Sequence, residues 1–310
     1  MEKRKIGSLE VSLAGLGCNN FGWRIDAQAT AKVVDAAIDA GINFFDTADI
    51  YGKGQSEDYL GKALGGRRNE VIIATKFGMK MEDGKQGARP EYIREAAEAS
   101  LSRLGTDHID LYQIHQPDAS VPIAETLGAL NELVRAGKVR EIGCSNFSAE
   151  QLRDAAAAPG AAKFVSVQNQ YSLIHRDPEK DVLPECVRLR LGFLPYFPLG
   201  NGLLTGKYRK GQQTPQDSRA QAGFGPKVFT EENLEFVEAL MQFAESRGHT
   251  LLELAMSWLA GRPTVASVIA GAKSPEQVRQ NAKSVQWKIS PEEMSDVDAL
   301  SVQRTGGVHA

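Results

Sequence analysis

The chain has 310 residues, and its 36 basic and 39 acidic side chains give a formal net charge of −3 at pH 7. Hydrophobic residues make up 42% and charged residues 24%, which excludes disordered, fibrous and collagen-like chains. The near-neutral charge gives no electrostatic footprint for nucleic acid or an anionic membrane, and no apolar run is long enough to span a bilayer. A chain of this length forms about two domains or one large barrel.

The cysteines and the N-terminal segment predict a cellular compartment. Cys18, Cys144 and Cys186 are too few, and odd in number, for a disulfide framework, and their spacing does not match a zinc site. The apolar stretch at 11–17 is too short and too interrupted for a signal peptide. We therefore expect a reduced, soluble, cytoplasmic protein without a metal.

Short apolar segments rich in β-branched residues alternate with longer amphipathic segments along the chain. Near-continuous apolar character is typical of strands that are covered on both faces. After an N-terminal pair of strands at 3–7 and 10–13, the predicted strands lie at 15–18, 42–46, 71–76, 109–115, 139–145, 164–169, 192–197 and 265–270.

Helices are predicted between the strands. The segments 30–40, 90–104 and 123–136 each end at a glycine, which is a common residue after a helix C-terminus. Three further helix starts carry a serine followed three residues later by Gln or Glu, the spacing of a capping box. These serines are Ser148, Ser274 and Ser290.

The alternation of strand and helix is repeated about eight times, and no linker divides it. Two dinucleotide-binding domains would leave a GxGxxG turn, but the nearest candidate, Gly15-Leu16-Gly17, lacks the third glycine. We therefore predict an α/β fold in which residues 1–310 form a single domain. This domain is a (β/α)8 TIM barrel that begins with an N-terminal β-hairpin. The long segment 199–229 after the seventh strand is predicted to cover a bound cofactor, because loops of this length are usually functional.

Chemically capable side chains end successive predicted strands, where the active site of a barrel lies. Asp46, Lys76 and His115 end three of them, and Tyr51 follows the first. Each alone has an ordinary structural role, as a helix cap, a solvated charge or a hydrogen-bonded side chain. Together they predict proton transfer: Lys76, held by Asp46, stabilises the phenolate of Tyr51, and His115 orients a carbonyl oxygen.

Carbonyl reduction also needs a hydride, which implies a nicotinamide cofactor. Tyr196 can stack on the nicotinamide, and Gly271 with Lys273 can approach a phosphate at a helix N-terminus. The predicted carboxamide ligands are Ser145, Asn146 and Gln168.

Six segments together resemble the aldo-keto reductase superfamily: 43–52, 74–78, 110–115, 143–147, 167–171 and 198–207. The resemblance implies an NADPH-preferring oxidoreductase that reduces aldehydes or ketones, or runs the reverse reaction on a sugar or alcohol. It assigns Asp46, Tyr51, Lys76 and His115 to catalysis. It implies a small-molecule carbonyl or sugar substrate, and it leaves the oligomeric state open.

The resemblance also implies a set of cofactor contacts. The run Ser218-Arg219-Ala220 is similar to one in potassium-channel β subunits and their bacterial relatives, and Gln277 stands where many members carry Arg, so NAD(H) stays possible beside NADPH. The implied residues are Gly17, Cys18, Asn19, Ser145, Asn146, Gln168, Tyr196, Phe197, Pro198, Leu199, Asn201, Lys207, Arg219, Gly271, Lys273, Gln277, Gln280 and Asn281.

The short polar tail after Leu300 cannot supply an apolar lining for the substrate pocket. We expect that lining to come from the loops that follow the strands. The predicted substrate-binding residues are Trp23, Tyr51, Phe77 and His115, with Met79 and Met81 as further candidates.

Two other functions stay open at this point. One is a redox-sensing regulatory subunit that binds the cofactor with little turnover, as the channel β subunits do. The other is an aldolase that forms a Schiff base on Lys76, because lysines in barrels can form imines with carbonyl substrates. A protonated Lys76 fits proton transfer better than it fits a nucleophile.

Overall fold

The computed structural model describes residues 1–160, 162–209 and 228–305, with side chains described up to residue 301. Its first two strands, β1 (Lys3–Ile6) and β2 (Leu9–Ser12), form an antiparallel hairpin. Eight more strands form one parallel sheet: β3 (Ala14–Gly17), β4 (Phe44–Asp46), β5 (Ile72–Phe77), β6 (Ile109–Ile114), β7 (Val139–Ser145), β8 (Ser166–Gln170), β9 (Gly192–Tyr196) and β10 (Val268–Gly271).

Helices follow most strands and cover the outside of the sheet. In the described ranges they are α1 (Ala27–Asp39), α2 (Gln55–Leu64), α3 (Pro90–Leu104), α4 (Ile123–Arg135), α5 (Ala149–Ala157), α6 (Val182–Leu189), α7 (Glu231–Glu245), α8 (Leu251–Ala260), α9 (Pro275–Ser284) and α10 (Pro291–Thr305). Across these ranges, none of the helices has both the length and the apolar character that a membrane span needs.

The parallel sheet curls into a nearly closed barrel. The strand order is β10-β3-β4-β5-β6-β7-β8-β9, so β3 pairs with both β4 and β10. At the remaining edge, Phe193 of β9 donates its N–H to the Thr264 carbonyl at 2.8 Å, and Ala266 donates to the Phe193 carbonyl at 2.9 Å. The predicted (β/α)8 fold with an N-terminal hairpin is therefore confirmed.

Two of the three predicted capping boxes form completely. Ser148 caps α5 and Ser290 caps α10. In each case the backbone N–H of the serine donates in return to the side chain of Gln151 or Glu293. At α9, Ser274 accepts from the Gln277 N–H at 3.3 Å, but the Gln277 side chain instead accepts from the Lys273 N–H at 2.8 Å. Only one of the two hydrogen bonds of the predicted capping box is therefore present. The bond between the Lys273 N–H and the Gln277 side chain fixes the loop before the helix instead.

The sequence prediction lacks four helices that the structure has, namely α2, α6, α7 and α8. Helix α2 begins directly after the predicted catalytic segment and carries a glycine in its interior, Gly61, which usually argues against a helix. A Cβ at this position would lie 2.3 Å from the Leu104 carbonyl oxygen, so Gly61 allows α2 to pack against the end of α3. The segment 199–229, predicted as a loop, begins with a short 3₁₀ helix at Gly200–Thr205.

The N-terminal hairpin closes the end of the barrel where the strands begin. Ile6, Leu9 and Val11 are fully buried, and they pack in one cluster with barrel residues that include Phe44 and Leu111. Burying an aliphatic side chain of this size contributes about 1.5–3 kcal/mol. The hairpin therefore stabilises one end of the barrel and leaves the other end open.

Arg4 on β1 ties the hairpin to the last helix–strand connection of the barrel. Its guanidinium donates to the Val265 carbonyl at 2.6 Å, to Ala260 at 2.7 Å and to Arg262 at 3.2 Å. We expect Arg4→Ala to lower the free energy of unfolding by about 2 kcal/mol, because it leaves charge-assisted hydrogen bonds unmade. Urea denaturation measures this. The exposed neighbour Lys5 supplies the matched control, and an equal loss in Lys5→Ala would contradict the role of Arg4.

Candidate active site

A cavity of about 630 Å³ lies at the carboxyl ends of the strands, opposite the hairpin. Most of the predicted cofactor residues line it. These are Gly17, Asn19, Ser145, Asn146, Gln168, Tyr196, Phe197, Pro198, Leu199, Asn201, Lys207, Gly271, Lys273, Gln277, Gln280 and Asn281, joined by the predicted catalytic residues Asp46, Tyr51 and His115.

Lys76 and Asp46 form a buried ion pair beneath this cavity. The Lys76 ammonium donates to Asp46 Oδ1 at 2.6 Å and to the Thr47 carbonyl at 2.9 Å, and the whole lysine side chain is inaccessible to solvent. Burial works against the charge, but the Asp46 carboxylate and its hydrogen bond, together with the nearby Tyr51 and Cys18 side chains, outweigh it and raise the pKa of Lys76. The amine is therefore protonated, which does not suit a nucleophile that forms a Schiff base.

The other oxygen of Asp46 is also held. Asp46 Oδ2 accepts from the Gln168 amide nitrogen at 2.8 Å and from the Gln113 amide nitrogen at 3.3 Å. Gln168, which was predicted to bind a cofactor carboxamide, lines the cavity and uses its amide nitrogen to orient the Asp46 carboxylate. Gln113, which the sequence analysis missed, lies two residues before His115 on β6, so strand alternation places both on one face.

Tyr51 lies in the turn that follows β4. The turn needs a left-handed backbone at Gly52 (φ 55°), and a Cβ there would lie 2.8 Å from the Phe21 carbonyl oxygen. Burial raises the pKa of Tyr51, and the nearby Lys76 ammonium counteracts this effect only in part. The phenol is therefore neutral before reaction, and a cation lies beside it that can stabilise the phenolate once the proton leaves.

His115, which directly follows β6, approaches Tyr51 across the barrel mouth. Their rings are nearly perpendicular, with centroids 5.8 Å apart. Burial, and then the Lys76 charge, lower the pKa of His115 to about 3, so its imidazole is neutral. Its Nδ1 atom has no hydrogen-bond partner among the described residues. A neutral imidazole at the cavity wall can orient a substrate oxygen without adding a second positive charge.

The residues predicted to hold the nicotinamide contact one another. Asn146 donates to the His115 carbonyl at 2.9 Å, and Tyr196 donates its hydroxyl proton to Asn146 Oδ1 at 2.8 Å. Ser145 donates to the Gln168 carbonyl at 2.7 Å. Asn146 has a left-handed backbone (φ 62°), which turns its side chain across the strand ends. The ligands of the predicted ring site are thus already assembled at one wall.

The adjacent wall, at the ends of β10 and β3, suits the phosphate end of a dinucleotide. A Cβ at Gly271 would lie 3.2 Å from side-chain atoms of both Asn19 and Asn20, so the glycine allows a close approach there. Lys273 precedes the N-terminus of α9, where backbone N–H groups and the helix dipole favour a phosphate. The side-chain oxygens of Asn20 and Asn201 are buried without a partner among the described residues, as expected for atoms that bind a ligand.

Besides Lys76, which lies beneath the cavity, three predicted site residues in the described ranges do not line it. Cys18 is fully buried and contributes its backbone, which donates to the Asp46 carbonyl at 2.8 Å. Phe77 is also fully buried and stacks on Tyr112, because alternation along β5 sends Lys76 inward and Phe77 toward the helices. Trp23 is 59% exposed beside Arg24. Arg219 lies outside the described residues, so its role stays a prediction.

Several further residues line the cavity. Arg24 and Gln116 fall in the loops after β3 and β6, which the sequence analysis expected to supply the pocket walls. Leu252 lies on α8, which was not predicted, and gave no signal. The lining residues that were not named individually as site residues are Asn20, Arg24, Gln116, Gly202, Thr205, Leu252, Ile269 and Ala270. Met79 lines this cavity as expected, whereas Met81 lines another one.

The buried neutral imidazole gives a prediction for pH. The pKa of His115 is about 3 in the folded chain and about 6.5 when unfolded, so between these values the unfolded state binds more protons. This residue therefore costs stability as pH falls below about 6.5. Histidine NMR should show one ring that stays neutral at pH 5, and His115→Gln should remove that signal. A titration of this ring near 6.5 would contradict the assignment.

Known proteins are similar to this chain over nearly its whole length. The model of the aldo/keto reductase family matches residues 14–302. The aldo-keto reductase YhdN of Bacillus subtilis (strain 168) is 36% identical over 302 residues, covering 94% of this chain and 90% of that protein.

Two solved structures have the same fold. The glycerol dehydrogenase AKR11B4 from Gluconobacter oxydans superimposes with a TM-score of 0.84 at 32% identity, covering 97% of this chain and 95% of that one. The aldo-keto reductase AKR11C1 from Bacillus halodurans, in its holo form, superimposes with a TM-score of 0.81 at 32% identity, with coverages of 97% and 96%.

Proposed function

The chain belongs to the aldo/keto reductase family, and from this premise we propose that it is an NADPH-dependent oxidoreductase that reduces aldehydes or ketones to alcohols. It can equally run the reverse reaction on a sugar or alcohol. The observation that carries the proposal is the buried Lys76–Asp46 pair, with its 2.6 Å bond, beside the Tyr51 phenol at the barrel mouth.

Tyr51 is the general acid of this reaction. When bound, the nicotinamide supplies the hydride, which no protein side chain can provide. As the carbonyl carbon gains a hydrogen, charge develops on its oxygen, and the Tyr51 O–H bond breaks to place a proton there. The phenolate that remains is stabilised by the Lys76 ammonium, which Asp46 keeps protonated. In the reverse direction the phenolate accepts the alcohol proton.

His115 orients the reacting oxygen. Its ring lies edge-on to Tyr51, so a carbonyl oxygen that reaches the phenol also reaches the imidazole. Because the ring is neutral, it can donate one hydrogen bond to the oxygen without competing with Tyr51 as an acid. Tyr51 therefore supplies the proton, and His115 positions the oxygen that accepts it.

The cofactor would lie along the strand ends, from Tyr196 to α9. Tyr196, whose hydroxyl binds Asn146, is placed to stack on the nicotinamide, with Ser145 and Asn146 beside it. Lys273 and the α9 N-terminus favour NADPH, because they add positive charge where an adenosine phosphate would bind.

Polar side chains near His115 favour a small hydroxylated substrate. Arg24 and Gln116 line the same cavity, and Met79 adds an apolar side chain from the loop after β5. This lining is consistent with the activity of one structural neighbour, the glycerol dehydrogenase AKR11B4. Short hydroxyaldehydes and hydroxyketones, or the corresponding polyols, are therefore the first substrates to assay.

Removal of the Tyr51 hydroxyl tests the mechanism. Tyr51→Phe should lower kcat by at least about 100-fold, because general acid catalysis is lost, and should leave cofactor affinity unchanged. Turnover is followed by NADPH oxidation over a series of aldehydes, and cofactor binding by fluorescence titration. Tyr59→Phe on α2 is the matched control. Full turnover in Tyr51→Phe would exclude the assignment.

The same assay distinguishes the regulatory alternative. If the wild-type chain binds the cofactor tightly and turns over none of the aldehydes, ketones or sugars, then the redox-sensing function is favoured instead.

Lys273 tests the cofactor preference. We expect Lys273→Ala to raise KM for NADPH by about tenfold, since a charge-assisted contact to a phosphate contributes about 1.5 kcal/mol, and to leave KM for NADH unchanged. Steady-state kinetics with both cofactors measure this. Lys283→Ala, at the exposed far end of the same helix, should change neither value. Equal losses with NADPH and NADH would contradict a role in phosphate selection.

A further inference from the structure

A second cavity lies behind the segment that carries Tyr51. It has a volume of about 670 Å³, and we call it the rear cavity; Asp49, Ile50, Lys53, Met81, Tyr92 and Arg103 are among its lining residues. The loop after β4 separates it from the catalytic cavity, because Asp46 and Tyr51 line one side of that loop and Asp49, Ile50 and Lys53 line the other. The proposed reaction does not use this rear cavity.

Asp49 is the unexplained group in the rear cavity. Its side chain is buried, with the residue only 1% exposed, and its carboxylate has no side-chain hydrogen-bond partner among the described residues, although the backbone N–H of Ile50 contacts it. Its own N–H donates to the Lys76 carbonyl at 3.1 Å, so the backbone is anchored to the strand beneath the active site. A buried carboxylate with so few donors is costly, and a ligand that donates would lower that cost.

The cations around Asp49 are engaged with other carboxylates. Arg103 donates to Glu57 at 2.7 Å, and Lys53 lies 2.5 Å from Glu82. Lys85 pairs with Glu95 at the same rim. Lys80 also lines the cavity, but no ion pair joins it to Asp49 in the part of the chain that the structure describes. Arg103 and Lys76 lie within electrostatic reach of Asp49, but among the described residues no ion pair joins either of them to its carboxylate.

The walls of the rear cavity are partly apolar. Ile50, Met81 and Tyr92 line it, with Ala96 and Ala99 from α3. Burial and then the Asp49 carboxylate raise the pKa of Tyr92, which places the phenol within electrostatic reach of the carboxylate. A hydrated inorganic cation would gain nothing from these walls, whereas an organic cation would bury its hydrocarbon part against them.

We propose that the rear cavity binds a small organic ammonium ion. Its nitrogen donates to Asp49, and its hydrocarbon part lies against Ile50, Met81 and Tyr92. This inference stands apart from the proposed reaction, because it concerns binding and a different side of the loop.

The proposal predicts a direction with pH. Burial, followed by the Glu57 carboxylate, raises the pKa of Asp49 to about 7. An ammonium ion binds the ionised carboxylate, so affinity should rise as pH increases through about 7. The ionisable groups that face Asp49 are Glu57 from α2, Lys76 from β5, Tyr92 and Arg103 from α3, and Tyr112 from β6.

Isothermal titration calorimetry of the full chain with benzylamine tests the site. At about pH 8 we expect one equivalent to bind, with benzamide, an uncharged analogue of similar shape, at least about tenfold weaker. Asp49→Asn should weaken benzylamine by at least about tenfold, and its circular dichroism spectrum reports folding. Asp83→Asn is the matched control, because Asp83 lines the same rim but is solvated. It should bind benzylamine within about twofold of the wild type.

Three results would overturn the proposal. They are no benzylamine binding to the wild type, equal affinity for benzylamine and benzamide, or equal affinity in Asp49→Asn and wild type. Tyr51→Phe should bind benzylamine as the wild type does, which distinguishes the rear cavity from the catalytic one. Because the readout is binding alone, the result does not depend on whether the proposed reductase activity is found.

Discussion

A cation that is fully withdrawn from water must have its charge balanced, and this constraint organises the open end of the barrel. Lys76 lies on β5 and Asp46 lies on the adjacent strand β4, so parallel pairing of the two strands sets the ion pair before any ligand arrives. Removing one partner from such a pair typically costs 3–5 kcal/mol, since the other charge is left buried and uncompensated. Gln113 and Gln168 then fix the remaining carboxylate oxygen, and the charge that assists Tyr51 is held in place by several strands at once.

The strand period decides which residues take part. Along β5, Lys76 points into the barrel mouth and its neighbour Phe77 packs outward on Tyr112. Along β6, Gln113 and His115 share a face because they are two residues apart. Strand alternation does not apply to the loop after β4. There the left-handed residues Gly52 and Lys53 reverse the chain and place Tyr51 over Lys76.

Much of the barrel, and the clustering of the candidate catalytic residues at its mouth, could be predicted from the sequence, because each depends on local patterns. Buried parallel strands are short and apolar, and a barrel gathers their carboxyl ends, so Asp46, Lys76 and His115 could be placed together without coordinates. Helix α2 could not be predicted, because Gly61 lowers its helix propensity and the reason for that glycine is a contact with Leu104, far away in sequence.

Gln168 and Phe77 show the same limit at the site. Strand position correctly put Gln168 at the barrel mouth, but only coordinates show that its amide is used by Asp46. Phe77 was one residue too far along its strand, and a single step reverses the face. Contacts between distant segments decide both cases, and no single-sequence pattern encodes them.

The N-terminal hairpin, which closes one end of the barrel, has a consequence for how such a protein can evolve. Ile6, Leu9 and Val11 contribute their burial at one end, whereas the groups that touch a substrate lie at the other. Mutations in the loops around the open end therefore leave the stabilising contacts of the hairpin intact. Substrate preference can change through such mutations with little loss of folding stability, whereas the closed end tolerates few replacements.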